Sequence, residues 1–454
     1  MHPALAKIRD AVRGTVFEGD LFLVGGAVRD ELLGLPESSD FDLVTRGPSR
    51  DLALLLFDSG VSTIHPVVYE RFGTAMVDVD DVKIELVTAR KESYAKNSRK
   101  PSVEAGTYAD DARRRDFTLN TLMRSLDDWS LVDPLGVGVA DLESRVLRTP
   151  CDPVRTFDDD PLRMLRAIRF RWRFGLTPAK GLFDAIYMRH GRLKIVSFER
   201  IRDEMSKILV GEHAGEALDD LMKAKIFDVV APEFGAMRGC EQGKYHHLDV
   251  WDHTRMVVAN AVRLMPGDLL LALGALLHDV GKPPTRSLDE NGDIRFFGHE
   301  AVGADMARVI LGRWKLPGDD IDRVCRLVKN HMRLGSSPTF SDSAARRVIR
   351  DLGEDLDRLL RLVEADASAL KTGVKVLDID AIRATIARVQ EETPVDKLAS
   401  PLSGQEIMEL TGLAPGKEVG RLKKLLDEMV LDGQLGPEDK DRAREIIVTN
   451  VPSV

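Results

Sequence analysis

Asp40 and Asp42 lie two residues apart in Asp40-Phe41-Asp42-Leu43-Val44-Thr45, where acidic and apolar positions alternate. The alternation predicts a strand, and residues i and i+2 of a strand project from one face, so both carboxylates point the same way. Like charges held together repel, and a bound cation is the usual reason to tolerate them. Mg²⁺ takes one or two carboxylates and completes its shell with phosphate oxygens and water, which suits phosphoryl transfer. Glu85, on the less apolar face of a second predicted strand (82–88), is a candidate third carboxylate. An Asp-x-Asp pair alone is explained as well by a solvated strand face, so its neighbours decide. Gly25-Gly26 joins the apolar run LFLV to a helical pattern containing Arg29, and a glycine turn at that junction lets backbone N–H groups approach a phosphate. Arg114-Arg115-Asp116-Phe-Thr-Leu-Asn120 then supplies cations for a triphosphate and polar groups for ribose or base.

Two further clusters carry chemistry. Arg163, Arg166, Arg169, Arg171 and Arg173 fall in PLRMLRAIRFRWRFG, a local basic patch suited to triphosphate or RNA backbone. Asp160 and Arg163 are spaced i, i+3, and a helix across both would place them on one face. A carboxylate can accept from the exocyclic amine of cytosine or adenine while a guanidinium donates to the adjacent ring nitrogen. Uracil and guanine present a carbonyl where the carboxylate needs a donor. The plain alternative is an intrahelical ion pair worth ~0.3–0.5 kcal/mol. Histidine is also uneven: six of the ten lie between His246 and His331. His253, the His278-Asp279 pair in HDVGK, Lys282, His299, His331 and Asp366 follow one another on separate helical segments. Imidazoles and carboxylates from different helices can converge on a divalent metal inside a bundle.

The elements that must position these groups divide into a head and a long helical remainder. Residues 1–150 read as a small mixed sheet with helices, including strands at 74–80 and 82–88 joined by Asp80-Asp81, while Lys91 to Tyr108 reads as a long loop. Strand signals nearly vanish after Arg113, and apolar residues recur at helical spacing. Breaks at 232–244 and 391–404 predict an α+β head (1–150), a helical neck (151–235), a His-rich helical domain (236–390) and a helical tail (391–454). The chain of 454 residues is 43% hydrophobic and 31% charged, an ordinary globular balance. Its longest apolar run, Leu269 to Leu277, is far too short for a membrane span, and the charged N-terminus lacks a signal-like apolar segment. Three widely spaced cysteines, Cys151, Cys240 and Cys325, form neither a disulfide framework nor a zinc motif, which predicts a cytoplasmic protein. A formal charge of −9 argues against a nonspecific nucleic-acid coat but leaves local RNA contacts open.

Taken in order, these motifs resemble class II template-independent tRNA nucleotidyltransferases, the CCA-adding enzymes and bacterial poly(A) polymerases. GGAVRDELLG…DFDLVT resembles their first motif, RRDFTLN the second, DPLG…DL (Asp133 to Leu142) the third, DDPLRMLRAIRF the fourth and FERIRDEM (198–205) the fifth. The resemblance implies that Asp40 and Asp42, with Glu85 beside them, bind Mg²⁺ and activate a tRNA 3′-hydroxyl for attack on the α-phosphate of CTP or ATP. It implies nucleotide-binding roles for Gly25, Gly26, Arg29, Arg114, Arg115, Asp116, Asn120, Arg166 and Arg169, with Asp160 and Arg163 choosing the base. The family has Glu-Asp where this chain has Asp159-Asp160, which keeps the reading residue. The expected product is CCA at tRNA 3′ ends, with CC-only or A-only addition and poly(A) synthesis as alternatives. Residues 245–370 resemble the HD superfamily of metal-dependent phosphohydrolases. That likeness implies His253, His278, Asp279 and Asp366 as ligands of a divalent transition metal, His299 and His331 at a second metal or the phosphate, and Lys282 facing the phosphate. A phosphohydrolase whose head merely senses nucleotides is the competing class. The tail resembles the family segment that holds the tRNA elbow.

Overall fold

The computed structural model describes residues 1–37, 40–70, 73–93, 102–243, 248–335, 340–370, 377–392 and 398–451. They form two compact units, one of Met1–Ile208 with Glu216–Pro232, the other of Leu209–Gly215 with Glu233–Val454.

The first unit is built on a mixed seven-stranded sheet. Its strands are β1 (Phe22–Val24), β2 (Phe41–Thr45), β3 (Val67–Tyr69), β4 (Thr74–Val79) and β5 (Val82–Thr88). After β6 (Arg90–Ser93) and β7 (Ser102–Ala105), which pair with each other, β8 (Met123–Ser125) and β9 (Leu131–Val132) rejoin it, giving the order β3-β4-β5-β2-β1-β8-β9. β2 and β5 are parallel, and their register sets Asp42 directly beside Glu85. β4 and β5 turn at Asp80 and Asp81, with φ of 55° and 64°, the two positive-φ positions a tight hairpin requires. Beneath β1 and β2, Val24, Val44, Ala89 and Met123 pack as one buried cluster.

Two expectations change here. The segment expected as a loop from Lys91 to Tyr108 holds an antiparallel hairpin, with Arg90 opposite Ala105 and Ser93 opposite Ser102; residues 94–101 lie outside the described residues. Its strands are polar and paired through backbone, so no hydrophobic alternation betrays them. β8 and β9 were likewise unmarked, because strands of two or three residues are too short to show a period. Beyond the sheet the unit is mainly helical, including Pro153–Asp159, Arg163–Phe174 and Phe198–Leu209. Arg163–Phe174 buries Met164, Leu165, Ala167 and Ile168 and stops at Gly175, whose φ is 62°.

The second unit is a helical bundle. Leu269–Leu277 is apolar on every side, and Leu271 to Leu277 are all buried, as befits a central helix. Val250–Leu264, His299–Arg313, Gly318–Asn330 and Leu356–Ala367 accompany it. Asp355, wholly buried, accepts from Arg323, Arg326 and Arg358 and ties the helices that follow to the bundle. A short hairpin, β10 (Arg286–Leu288) with β11 (Ile294–Phe296), interrupts the helices. Toward the C-terminus Leu402, Ile407, Val419, Leu422, Leu426 and Ile447 form a separate small core.

Candidate active sites

In the first unit, β1 runs into Gly25, whose φ of 84° and ψ of −134° favour glycine. A Cβ at Gly25 would stand 3.4 Å from both Asp42 Oδ2 and Arg115 Nη1, so turn, acid and cation meet at this point. Asp40 lies at the threshold of β2 and is exposed; Asp42, within the strand, is part-buried. The Asp42 carboxyl is pushed up to about 6, first by burial and then by Glu85 and Asp40, against the pull of Arg115 and Arg114. An anionic cluster that resists its own ionisation is a fitting donor set for a hard cation.

The Arg-Arg-Asp motif follows helix Tyr108–Arg113, whose start is fixed by a capping box between Thr107 and Asp110. From that helix Asp111, only 2% exposed, holds both cations. Its Oδ1 accepts from Arg114 Nε at 2.8 Å and its Oδ2 from Arg115 Nε at 3.1 Å. Asp116 is a second hub: Oδ2 accepts from Arg166 Nε and Nη2 at 2.8 and 2.6 Å, and Oδ1 from Asn120 Nδ2 at 2.8 Å. Burial works to raise its pKa, but Arg166 and Asn120 outweigh it and hold the carboxyl below the usual range. Asn120 Oδ1 accepts in turn from Arg29 Nη1 at 2.7 Å. The Arg29 guanidinium lies over the Phe174 and Phe170 rings at 4.6 and 5.3 Å. Arg169 donates to buried Glu204 at 2.7 Å and lies over the Phe170 ring at 4.4 Å.

These groups line one cleft of about 690 Å³. It is bordered by Gly25, Gly26, Arg29, Asp40, Asp42, Arg115, Asp116, Asn120, Arg166, Arg169 and Arg173, joined by Phe170 and Phe174, which sequence reasoning did not single out for this site. Glu85 reaches the site only through its register with Asp42, and Arg114 stands behind Arg115 on Asp111. Asp111 and Glu204 were also missed; each is an acid spaced three or four residues from arginines or facing them from another helix. Asp133 and Asp141 are structural: Asp133 accepts from the backbone N–H of Leu135, Gly136 and Val139, and Asp141 accepts from Thr118 and Arg148.

Asp160 and Arg163 do not share a helix face. Asp160 caps Pro153–Asp159 in an extended conformation (φ −138°, ψ 102°), and Arg163 opens the next helix. The cause is Pro161, which disfavours α-helical geometry in the residue before it. The two remain joined by a turn, Arg163 N donating to Asp160 O at 3.1 Å. Asp160 Oδ1 accepts from Leu162 N at 3.2 Å and Oδ2 from Arg200 at 3.4 Å, while the Arg163 guanidinium donates to the carbonyls of Arg114 and Thr156. Neither borders the described cleft.

In the second unit, His253, His278 and Asp279 form one group of converging donor atoms, and Asp279, His299 and His331 another, with every residue buried. Asp279 is the shared member. Its Oδ2 stands 3.1 Å from His278 Nε2 and 3.8 Å from His253 Nε2, its Oδ1 3.5 and 3.9 Å from Nε2 of His299 and His331. Asp366 reaches His253 Nε2 at 2.9 Å; Lys282 Nζ forms an ion pair with Asp279 Oδ2 and donates to Gln242 Oε1, both at 2.7 Å. Three histidines place Nδ1 2.7–2.8 Å from the carbonyl three residues earlier: His278 on Ala275, His299 on Phe296, His331 on Val328. A carbonyl only accepts, so each Nδ1 carries a hydrogen and a neutral ring offers its Nε2 lone pair inward; at His278 burial works to lower the pKa, but Asp279 outweighs it and raises it. Burial, with His278 adding to it, pushes His331 down to about 4, which keeps that lone pair free at neutral pH.

The first unit thus holds a polar nucleotide-sized cleft beside paired acids, and the second a buried His-Asp cluster in a helical bundle. Family comparison agrees along the chain: a poly A polymerase head domain matches residues 21–148, a probable RNA and SrmB-binding site of polymerase A residues 175–237, and an HD domain residues 250–380. The A-adding tRNA nucleotidyltransferase of Deinococcus radiodurans is 35% identical over 93% of this chain and 94% of its own length. The CC-adding tRNA nucleotidyltransferase of Thermus thermophilus is 31% identical over 93% of this chain and 92% of its own. The Bacillus stearothermophilus CCA-adding enzyme, solved with CTP, shares the fold with a TM-score of 0.69 at 23% identity, over 99% of this chain and 98% of its own. The chain belongs to the tRNA nucleotidyltransferase family. Among the described residues no helix is long and apolar enough to cross a membrane.

Proposed function

We propose that this enzyme adds C and A to tRNA 3′ ends without a nucleic-acid template, using CTP and ATP in the cytoplasm. The observation that carries the proposal is the single cleft in which Asp40 and Asp42 face Arg115, Asp116, Asn120 and Arg166. Asp40 and Asp42, with Glu85 alongside, are the residues to hold Mg²⁺, which when bound offsets charge on the reacting oxygens. Gly25 and Gly26 bring backbone to the triphosphate, and Arg115, held by Asp111, draws its charge. Arg29, Asn120 and Asp116 fix the nucleotide pocket as one hydrogen-bonded chain. Asp160 and Arg163 choose the base after exchanging their present protein partners for its Watson–Crick edge; C and A satisfy both groups, U and G leave the acid facing a carbonyl.

Supplying CTP, ATP or both to tRNA lacking its terminal CCA, and sizing the products, tests this. Extension by CC with CTP and by CCA with both is expected; no extension overturns the proposal. A second outcome, A added only to tRNA already ending in CC, is favoured by one observation, the 35% identity to an A-adding relative along nearly the whole chain.

The His-rich domain is proposed as a phosphohydrolase that frees blocked RNA 3′ ends. His253, His278, Asp279 and Asp366 are the residues to hold a divalent transition metal. Nε2 of His299 and Nε2 of His331 lie 3.3 Å apart, two imidazole nitrogens from separate helices that suit a second cation. Loss of phosphate release in His278→Ala, with nucleotide addition retained, is expected; release that survives the substitution contradicts the assignment.

A further inference from the structure

Beside the His-Asp cluster lies a separate groove of about 390 Å³ lined by Ala236, Arg238, Gly239, Cys240, Glu241, Pro283 and Arg286. Its wall is continuous with the cluster: Glu241 precedes Gln242, whose Oε1 accepts from Lys282 at 2.7 Å, and Lys282 bonds Asp279 and precedes Pro283. Arg238 and Arg286 are exposed, and among the described residues neither has a carboxylate partner, although most arginines of this chain do. Two unpaired guanidiniums against the single rim carboxylate of Glu241 leave the groove cationic. Phe297 adds a second feature. It is 78% exposed, and it stands between Phe296, whose ring lies 5.6 Å from Lys282 Nζ, and Gly298-His299. A large aromatic this exposed, one residue from a ring that covers the cluster's lysine, is a platform for a stacked base.

We propose that this groove binds the phosphodiester immediately 5′ of a terminal phosphate, with Arg238 and Arg286 on its oxygens and Phe297 under a base. The domain then recognises a phosphorylated polynucleotide end and not an isolated phosphomonoester. The inference rests on the phosphohydrolase reading of the His-Asp cluster and extends it by naming what the substrate must carry. Planar guanidiniums are the side chains best matched to phosphate oxygens, and an internal phosphate one nucleotide away is what separates an RNA end from a mononucleotide.

The test uses the full chain loaded with Co²⁺, whose visible absorption in a nitrogen-rich site reports ligands arriving there without any turnover. Adenosine 3′-monophosphate, carrying one phosphate, is compared with cytidylyl-(3′→5′)-adenosine 3′-monophosphate, carrying two. The wild-type protein is expected to bind the dinucleotide about tenfold or more tightly, the worth of one charge-assisted contact. In Arg238→Gln/Arg286→Gln that preference disappears, and the salt dependence of log K falls by about 0.7 for the lost phosphate contact. Phe297→Ala weakens both nucleotides but not inorganic phosphate. Nucleotide addition by the head serves as the folding control. A dinucleotide preference that survives in the double variant, or that is missing from the wild type, overturns the groove assignment alone. Failure of Co²⁺ to give a spectrum sensitive to His278→Ala removes the metal reading beneath it.

Discussion

Asp111 is the least conspicuous acid of the head, and it holds Arg114 and Arg115, the cations proposed for the triphosphate. Replacing it with asparagine keeps the side-chain volume but turns one acceptor oxygen into an NH₂ group aimed at an arginine. One of the two ion pairs, at 2.5 Å to Arg114 or 3.0 Å to Arg115, is lost and becomes donor against donor. Removing one partner of a buried pair costs ~3–5 kcal/mol. The arginine side chains are 18% and 15% exposed, so water recovers part of that, and a loss of about 2–3 kcal/mol of unfolding free energy is expected. Activity should fall separately from stability. Arg115 Nη1 lies within contact distance of a Cβ at Gly25, and a guanidinium freed from its clamp there misplaces the triphosphate, an error that costs about 100-fold. Urea unfolding measures the first effect. Single-turnover addition of labelled CTP or ATP, at a temperature where the variant is folded, measures the second. An Asp111→Asn protein with wild-type midpoint and wild-type turnover would refute the clamp.

Two further outcomes follow from the same geometry. Asp160→Ala should retain addition but accept UTP and GTP more readily, the discrimination falling about 10- to 100-fold; competition between CTP and UTP for one tRNA end reads this directly. Asp20 receives hydrogen bonds from Tyr108 and Arg46, and although burial pushes its carboxyl up, these donors hold it below the ordinary carboxylate range. A depressed folded-state pKa stabilises above the unfolded value and is lost as pH falls through the folded one. Asp20→Asn should therefore be less stable than wild type at pH 7, and the difference should fade in thermal melts below about pH 4. A constant gap across that range would contradict it.

Legibility differed by kind of feature. The Gly25-Gly26 turn, Asp40, Asp42 and the Arg114 to Asn120 run were readable because backbone geometry and residue type alone fix what they offer. The His-Asp cluster was readable because its members are rare residue types spread over successive helices. The partners that hold these groups were not. Asp111 and Glu204 look like ordinary surface acids of amphipathic helices until the fold turns them inward onto arginines. Phe170 and Phe174 carry no signal of their own in the arginine run, and only the tertiary packing of Arg29 over their rings places them in the cleft. The Asp160–Arg163 spacing suggested one helix; Asp160-Pro161 was the local signal against it. The β6–β7 hairpin carried no signal, since backbone pairing of polar strands leaves no periodic trace.

The account stands on Asp40 and Asp42 serving nucleotide addition through a divalent cation. The most direct measurement is addition of labelled CTP and ATP to tRNA lacking CCA, titrated with Mg²⁺, by the wild type and by Asp42→Ala. Extension that rises with Mg²⁺ in the wild type and is absent in the variant, with the two proteins melting within a few degrees of each other, is the expected result. Extension by Asp42→Ala at a rate approaching that of the wild type would contradict it.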